Sequence, residues 1–206
     1  FIVARLLFCS HINMFKPDNI ENEFFLKLGF SFSPDLLAKG KILISEPFLG
    51  DPNFSRSVIL LLEYSSENGA VGFVLNKPTD LFMSDMIDDY PKDSFRFHYG
   101  GPVKPESVFF LHSIGEKIEN AQNIMDGLWW GGDFDEITSL IRSGSVAPSD
   151  VKFFGGYSGW TANQLEEELS ERSWILSSLN AERIMKEDLD ELWRESLKSL
   201  GKKFSI

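Results

Sequence analysis

The segment SVILLLEY, residues 57–64, holds five consecutive apolar residues from Val58 to Leu62 between polar flanks. An unbroken apolar run of that length fits a strand covered on both faces. Asn68-Gly69 then supplies a turn signal, and AVGFVLN at 70–76 returns as the second arm of a hairpin. The hairpin argues against a purely parallel sheet.

Around this pair, KILISE (41–46), FRFHY (95–99), SVFFLH (107–112), GLWW (127–130), VKFF (151–154) and SWIL (173–176) read as further strands. A Gly-Gly-Pro turn separates 95–99 from 107–112. Helices are expected where caps meet apolar periodicity. The first runs from Ser33 and Pro34 to Gly40. A second starts at Pro78 and Thr79, with Phe82, Met83, Met86 and Ile87 on one face, and ends at Tyr90-Pro91. Asp133 with Glu136 caps a third, carrying Phe134, Ile137, Leu140 and Ile141 and closed by Gly144. Thr161 with Gln164 caps a fourth from Ala162. Leu189, Leu192, Trp193, Leu197 and Leu200 mark a fifth, with Gly201 as its stop. The expected fold is mixed α/β (α+β): a single domain over 34–206 with a mixed, barrel-like β-sheet flanked by helices. Residues 1–33 read as an N-terminal arm. Met14 is the expected natural start, with 1–13 read as added or upstream translated sequence.

Hydrophobic residues make up 43% of the chain, enough for a sizeable core without disulfides. The net charge of −11 disfavours phosphate backbones and anionic membrane surfaces. No apolar run approaches the roughly 20 residues needed to span a bilayer. The opening FIVARLLFCS lacks the basic leader and cleavage site of a signal peptide. Cys9 is the sole cysteine, so no internal disulfide forms and a reducing cytoplasm is the expected compartment.

Ser158, in Gly156-Tyr157-Ser158-Gly159, sits between an expected strand and helix, as a hydrolase nucleophile would. Trp160, however, occupies the position of the elbow's closing glycine, so Ser158 reads as a small residue in a tight corner. His112, at the end of an apolar strand, is the one candidate general base, at the rim of a cleft. No zinc spacing is present, and Glu166-Glu167-Glu168 reads as a solvated helix face. The glycines of YGGPVKP (99–105) fit a turn between strands better than a nucleotide loop. No cofactor is expected.

Taken in order, the blocks ISEPFLGDPNFSRSVILLLEY, NGAVGFVLNKPT, YGGPV, FLHS, WWGGDFDE, FFGGYSGW and QLEEEL resemble the AlgH/YqgE family from Lys41 to Gly201. The resemblance implies a single-domain, cytoplasmic bacterial protein of mixed α/β fold with a β-barrel-like core. It also implies the label of transcriptional regulator that many members carry without a settled biochemical activity. The family's characteristic residues match at Phe54, Arg56, Asn76, Gly100, Gly101, His112, Tyr157, Trp160, Gln164 and Glu168, among others. The chain departs from the family pattern at Tyr64, where histidine is frequent, at Gly155, where a large apolar residue is usual, and at Asn163, where glycine is expected. Gly155 implies a more flexible corner at 155–156.

The expected function is binding of a small ligand or protein partner, through a cleft lined by Arg56, Asn76, Gly100, Gly101, His112, Tyr157, Trp160 and Gln164. Arg56 is a fork donor for carboxylate or phosphate, or else a salt-bridge partner of Asp51. Asn76 offers amide donors, and Gln164 contacts an anion or completes its capping box. The alternative is a hydrolase using His112, which needs a serine or carboxylate within about 3 Å. Direct DNA binding is the least favoured reading, given the charge.

Overall fold

The doubly apolar run is strand β2 (Val58–Ser65), where Val58 to Leu62 are all shielded from solvent. The computed structural model describes residues 36–186 and 191–199. In it β2 lies between β1 (Ile42–Ser45) and β3 (Gly69–Val74), antiparallel to both. Gly69, at φ +90°, makes the hairpin turn, and a β-carbon there would lie 2.0 Å from the Trp160 carbonyl oxygen.

Seven more strands follow: β4 (Pro78–Phe82), β5 (Arg96–Tyr99), β6 (Val103–His112), β7 (Gln122–Met125), β8 (Leu128–Trp130), β9 (Val151–Trp160) and β10 (Trp174–Ser177). The main path runs β10-β1-β2-β3-β9-β6-β8-β7, with β5 joined to β4 and to β9. Among the described residues only the β5–β9 pairing is parallel. The sheet is mixed, as expected, but it ends at β10 and β7 and does not close into a barrel.

Strand β9 joins the two halves of the sheet. Phe153 to Gly155 pair with β5, Ser158 to Trp160 with β3, and β6 runs along the other edge. The expected corner at 155–160 is therefore continuous strand. Its glycines serve close backbone packing. A β-carbon on Gly100 would lie 2.3 Å from the Gly156 oxygen, and one on Gly155 would lie 2.7 Å from the Phe97 ring. The position read as flexible is thus packed against an aromatic face within the sheet.

Among the described residues four α-helices accompany the sheet: α1 (Phe134–Arg142), α2 (Gln164–Ser170), α3 (Ala181–Met185) and α4 (Leu192–Ser199). Asp133 caps α1, accepting from the Asp135 and Glu136 amides at 2.9 Å each. Ile137 and Ile141 of α1 pack with Met83, Phe110 and Phe153. Leu165 and Leu169 of α2 pack with Leu43, Ile59, Leu61 and Val74. Each such buried side chain contributes about 1.5–3 kcal/mol.

Three helix expectations need correction. Residues 78–85 form β4 and one 3-10 turn, because Met83 N–H donates to the Phe95 carbonyl at 2.8 Å and Thr79 Oγ1 to the Phe97 carbonyl at 2.8 Å. Cross-strand bonds to β5 override the helical spacing, and Met86 ends up exposed while Met83 is buried. Residues 36–40 form no α-helix, and 33–35 lie outside the described residues. α2 begins at Gln164, two residues after the expected Ala162. In the last helix, Leu192, Trp193 and Leu197 fall as expected, while Leu189, Leu200 and Gly201 lie outside the described residues.

Candidate functional site

Between β1 and β2 the chain makes an ordered loop, 46–57, held from beneath by three side chains. Asn76 accepts from Val58 N–H through Oδ1 and donates through Nδ2 to the Arg56 carbonyl, both at 2.8 Å. Lys77 Nζ donates to the Asn53 carbonyl at 2.6 Å, and Tyr99 donates its hydroxyl to Asn53 Oδ1 at 3.2 Å. Burial pushes the Lys77 pKa down, against the pull of the Asp51 charge. Burial and then Asp51 push the Tyr99 pKa up. Asp51 turns the loop itself, accepting from Asn53 N–H at 2.8 Å through Oδ1.

Arg56 stands at the end of this loop, exposed, with φ +52°. A left-handed backbone is unfavourable for a residue with a β-carbon, and here the Asn76 bond to its carbonyl helps hold it. Its guanidinium carbon lies 6.0 Å from the Trp193 ring centroid, a cation–π arrangement. Trp193 is fixed in turn by its indole N–H, which donates to the Ser45 carbonyl at 2.9 Å. Among the described residues Arg56 makes no ion pair with Asp51, so that expected alternative fails.

Beneath the loop lies Glu168 of α2, only 7% exposed. Its Oε2 accepts from the indoles of Trp160 at 3.0 Å and Trp174 at 2.8 Å, and its Oε1 accepts from Gln164 Nε2 at 3.0 Å. Phe54 of the loop stacks on Trp160 and meets Trp174 edge-on at 5.6 Å, which ties the loop to this node. Gln164 Oε1 also accepts from the Thr161 N–H at 3.0 Å, one half of the expected box. The solvated-face reading of 166–168 therefore holds for Glu167 alone. Glu166 is half-buried and accepts from the Tyr64 hydroxyl at 2.8 Å.

His112 lies elsewhere, at the β8 end of β6 and 0% exposed, so it is no rim group. Its ring packs between Phe110, at 5.7 Å, and Trp129, at 6.4 Å. Neither ring nitrogen has a hydrogen-bond partner of proper geometry among the described residues. Burial pushes its pKa below the ordinary value, outweighing the nearby Gly131 backbone, which favours the charged form. Ser158 is 0% exposed as well, and its hydroxyl donates to the Gly100 carbonyl at 3.2 Å. Neither group forms the serine–base contact of a hydrolase. Among the described residues no three His, Cys, Asp or Glu side chains gather as a metal ion would require.

The AlgH-like family model matches residues 42–205 of this chain. A UPF0301 protein of Cytophaga hutchinsonii is 41% identical over 172 residues, covering 83% of this chain and 94% of that protein. One of Chlorobaculum parvum is 38% identical over 167 residues, covering 81% and 89%. The chain belongs to the AlgH-like family. The solution structure of the AlgH protein from Pseudomonas aeruginosa is similar, with a TM-score of 0.64 and 26% identity over 86% of this chain and 94% of that one. A crystal structure of a Corynebacterium diphtheriae protein shows the same fold, with a TM-score of 0.70 and 19% identity over 84% and 92%.

In this AlgH-like chain, Arg56 and Asn76 meet directly, and Trp160 and Gln164 meet through Glu168 and join the same loop through Phe54. Gly100 accepts from the Val74 N–H at 2.9 Å, and Gly100 and Gly101 pack on the β9 backbone. Tyr157 sets its ring edge-on to Phe109 at 5.7 Å. His112 packs on the α1-covered side with Phe110. Lys77, Tyr99 and Trp174 join the site without being among the residues expected there. Lys77 adjoins Asn76 in the sequence and Tyr99 adjoins Gly100, which are the local signals available for them. The expected family glycine at 163 is explained by Asn163, whose φ of +64° suits glycine or asparagine. Among the described residues no helix is long and apolar enough to cross a membrane.

Proposed function

We propose that this AlgH-like chain acts by binding, with the β1–β2 loop and Arg56 as its contact surface for an anionic group of a small ligand or protein partner. The observation that carries this reading is Arg56 itself: an exposed guanidinium on a left-handed backbone, at the end of a loop pinned by Asn76, Lys77 and Tyr99. Strain kept at an exposed charged residue is characteristic of functional positions. A rigid loop lowers the ordering cost of association. Asn76, Trp160 and Gln164 support the surface from below, and Phe48, 67% exposed on the same loop, adds an apolar contact.

Catalysis is the weaker reading, because His112 and Ser158 are buried apart from any general-base partner among the described residues. The charge of −11 weighs against a polyanionic partner such as DNA. A cytoplasmic location and a domain over 34–206 belong to the same proposal. A thermal-shift screen of carboxylate and phosphate metabolites tests it: a ligand raises the melting temperature by mass action, without turnover. Ligand consumption that depends on His112 would refute it.

A further inference from the structure

We infer that the outer edge of β6 at Val108 is a docking site for an extended, apolar peptide segment, a surface built from residues other than those of the Arg56 loop. Val108, Phe109 and Phe110 all line one groove of about 340 Å³, together with Ile87, Gly131 and Phe134. Successive strand residues point to opposite faces, so three in a row share a groove only where it follows the strand edge.

The edge is open because β8 leaves it. β8 pairs with β6 only at Leu111 and His112. Gly131 N–H then donates to the Phe110 carbonyl at 2.9 Å, and the chain turns away through Gly131 and Gly132, at φ +65° and +106°, into α1. That bond places the polar groups of Phe110, and by alternation those of Val108, on the groove side, while Phe109 faces β9. Among the described residues nothing pairs with Val108 on this edge.

An unpaired strand edge beside apolar walls is a template for β-addition: backbone bonds supply affinity and the pocket selects a side chain. Further along β6, exposed Lys104, Pro105 and Glu106 block pairing, and the register breaks between Val103 and Val108. The open stretch is thus short and suits one inserted side chain. Phe109, Phe110 and Phe134 favour an aromatic one. Asp88 and Asp89, exposed beside Ile87, favour basic flanks.

The probe is a fluorescein-labelled, lysine-flanked peptide of alternating threonine and valine around a central phenylalanine, followed by anisotropy on the full chain. Two isomers, N-methylated on alternate residues, each block one peptide edge. Saturable binding is expected, with one isomer and the Val108→Pro variant each weaker by about tenfold, the worth of one hydrogen bond. Absent binding, or equal binding by both isomers on the unmodified chain, overturns the proposal whether or not the variant folds. A concentration-dependent dimer that Val108→Pro dissolves, with no peptide binding, overturns it in favour of a second copy at this edge.

Discussion

Trp160 and Trp174 donate their indole N–H groups to one oxygen, Oε2 of Glu168, at 3.0 and 2.8 Å. Replacing that carboxylate with an amide leaves at least one buried indole donor facing an N–H₂ group or a weaker acceptor. Glu168→Gln should therefore cost about 2–4 kcal/mol, as hydrogen bonds to a buried charged group are lost. Urea unfolding followed by tryptophan fluorescence checks this. An unchanged midpoint would mean that the node contributes nothing.

Asn76 makes one bond to each end of the β1–β2 loop's return into β2. Asn76→Ala leaves the Val58 N–H without its acceptor, at a cost of about 1–3 kcal/mol. Hydrogen exchange at Val58 should accelerate before that of mid-strand Leu60. Equal protection in the variant and the unmodified chain would contradict the bridging role.

Gly50 and Gly100 form an internal control. A β-carbon at Gly50 meets nothing within 4 Å, while one at Gly100 meets the Gly156 oxygen at 2.3 Å. Gly50→Ala should be neutral to within about 0.5 kcal/mol, the range for surface substitutions. Gly100→Ala should lower the melting temperature sharply, because two backbones must separate. Comparable melting curves would show that β5 and β9 do not pack as described.

His98 is buried, with its Nδ1 3.2 Å from the Phe153 carbonyl, and its pKa is pushed down to about 4 by burial and by the Lys152 charge. The unfolded chain takes up this proton near the ordinary value of 6.5. Stability from this group is therefore complete above that value and is lost as the pH falls from 6.5 towards 4. The His98 ring resonance in proton NMR should titrate near 4 in the folded state. A midpoint near 6.5 would contradict its burial.

The strands and the cap of α1 were legible in the sequence because alternation and capping are local signals. SVILLLEY, the Asn68-Gly69 turn and Asp133 with Glu136 all kept the roles that their neighbours in sequence dictate. Residues 78–90 depart from the expected helix because the deciding bonds come from β5, which local spacing cannot register. The run at 155–160 departs from the expected corner because Gly155 and Gly156 answer to Phe97 and Gly100, distant in sequence and adjacent in space. Glu168 looked solvated for the same reason. Its partner Trp174 lies on another strand, and the loop reaches it through Phe54. At the candidate surface the residue types were readable, but which of them face solvent was not. Arg56 is exposed, while Trp160 and His112 are buried.

Binding through the Arg56 loop is tested most directly by comparing the unmodified chain with Arg56→Gln in the same thermal-shift screen of anionic ligands. The substitution leaves a shorter, uncharged side chain with amide donors and removes the charge and its fork geometry. At least one carboxylate or phosphate ligand should raise the melting temperature of the unmodified chain, and that rise should vanish in Arg56→Gln while the ligand-free melting temperature stays close. A ligand-induced rise of equal size in both proteins would contradict the role assigned to Arg56.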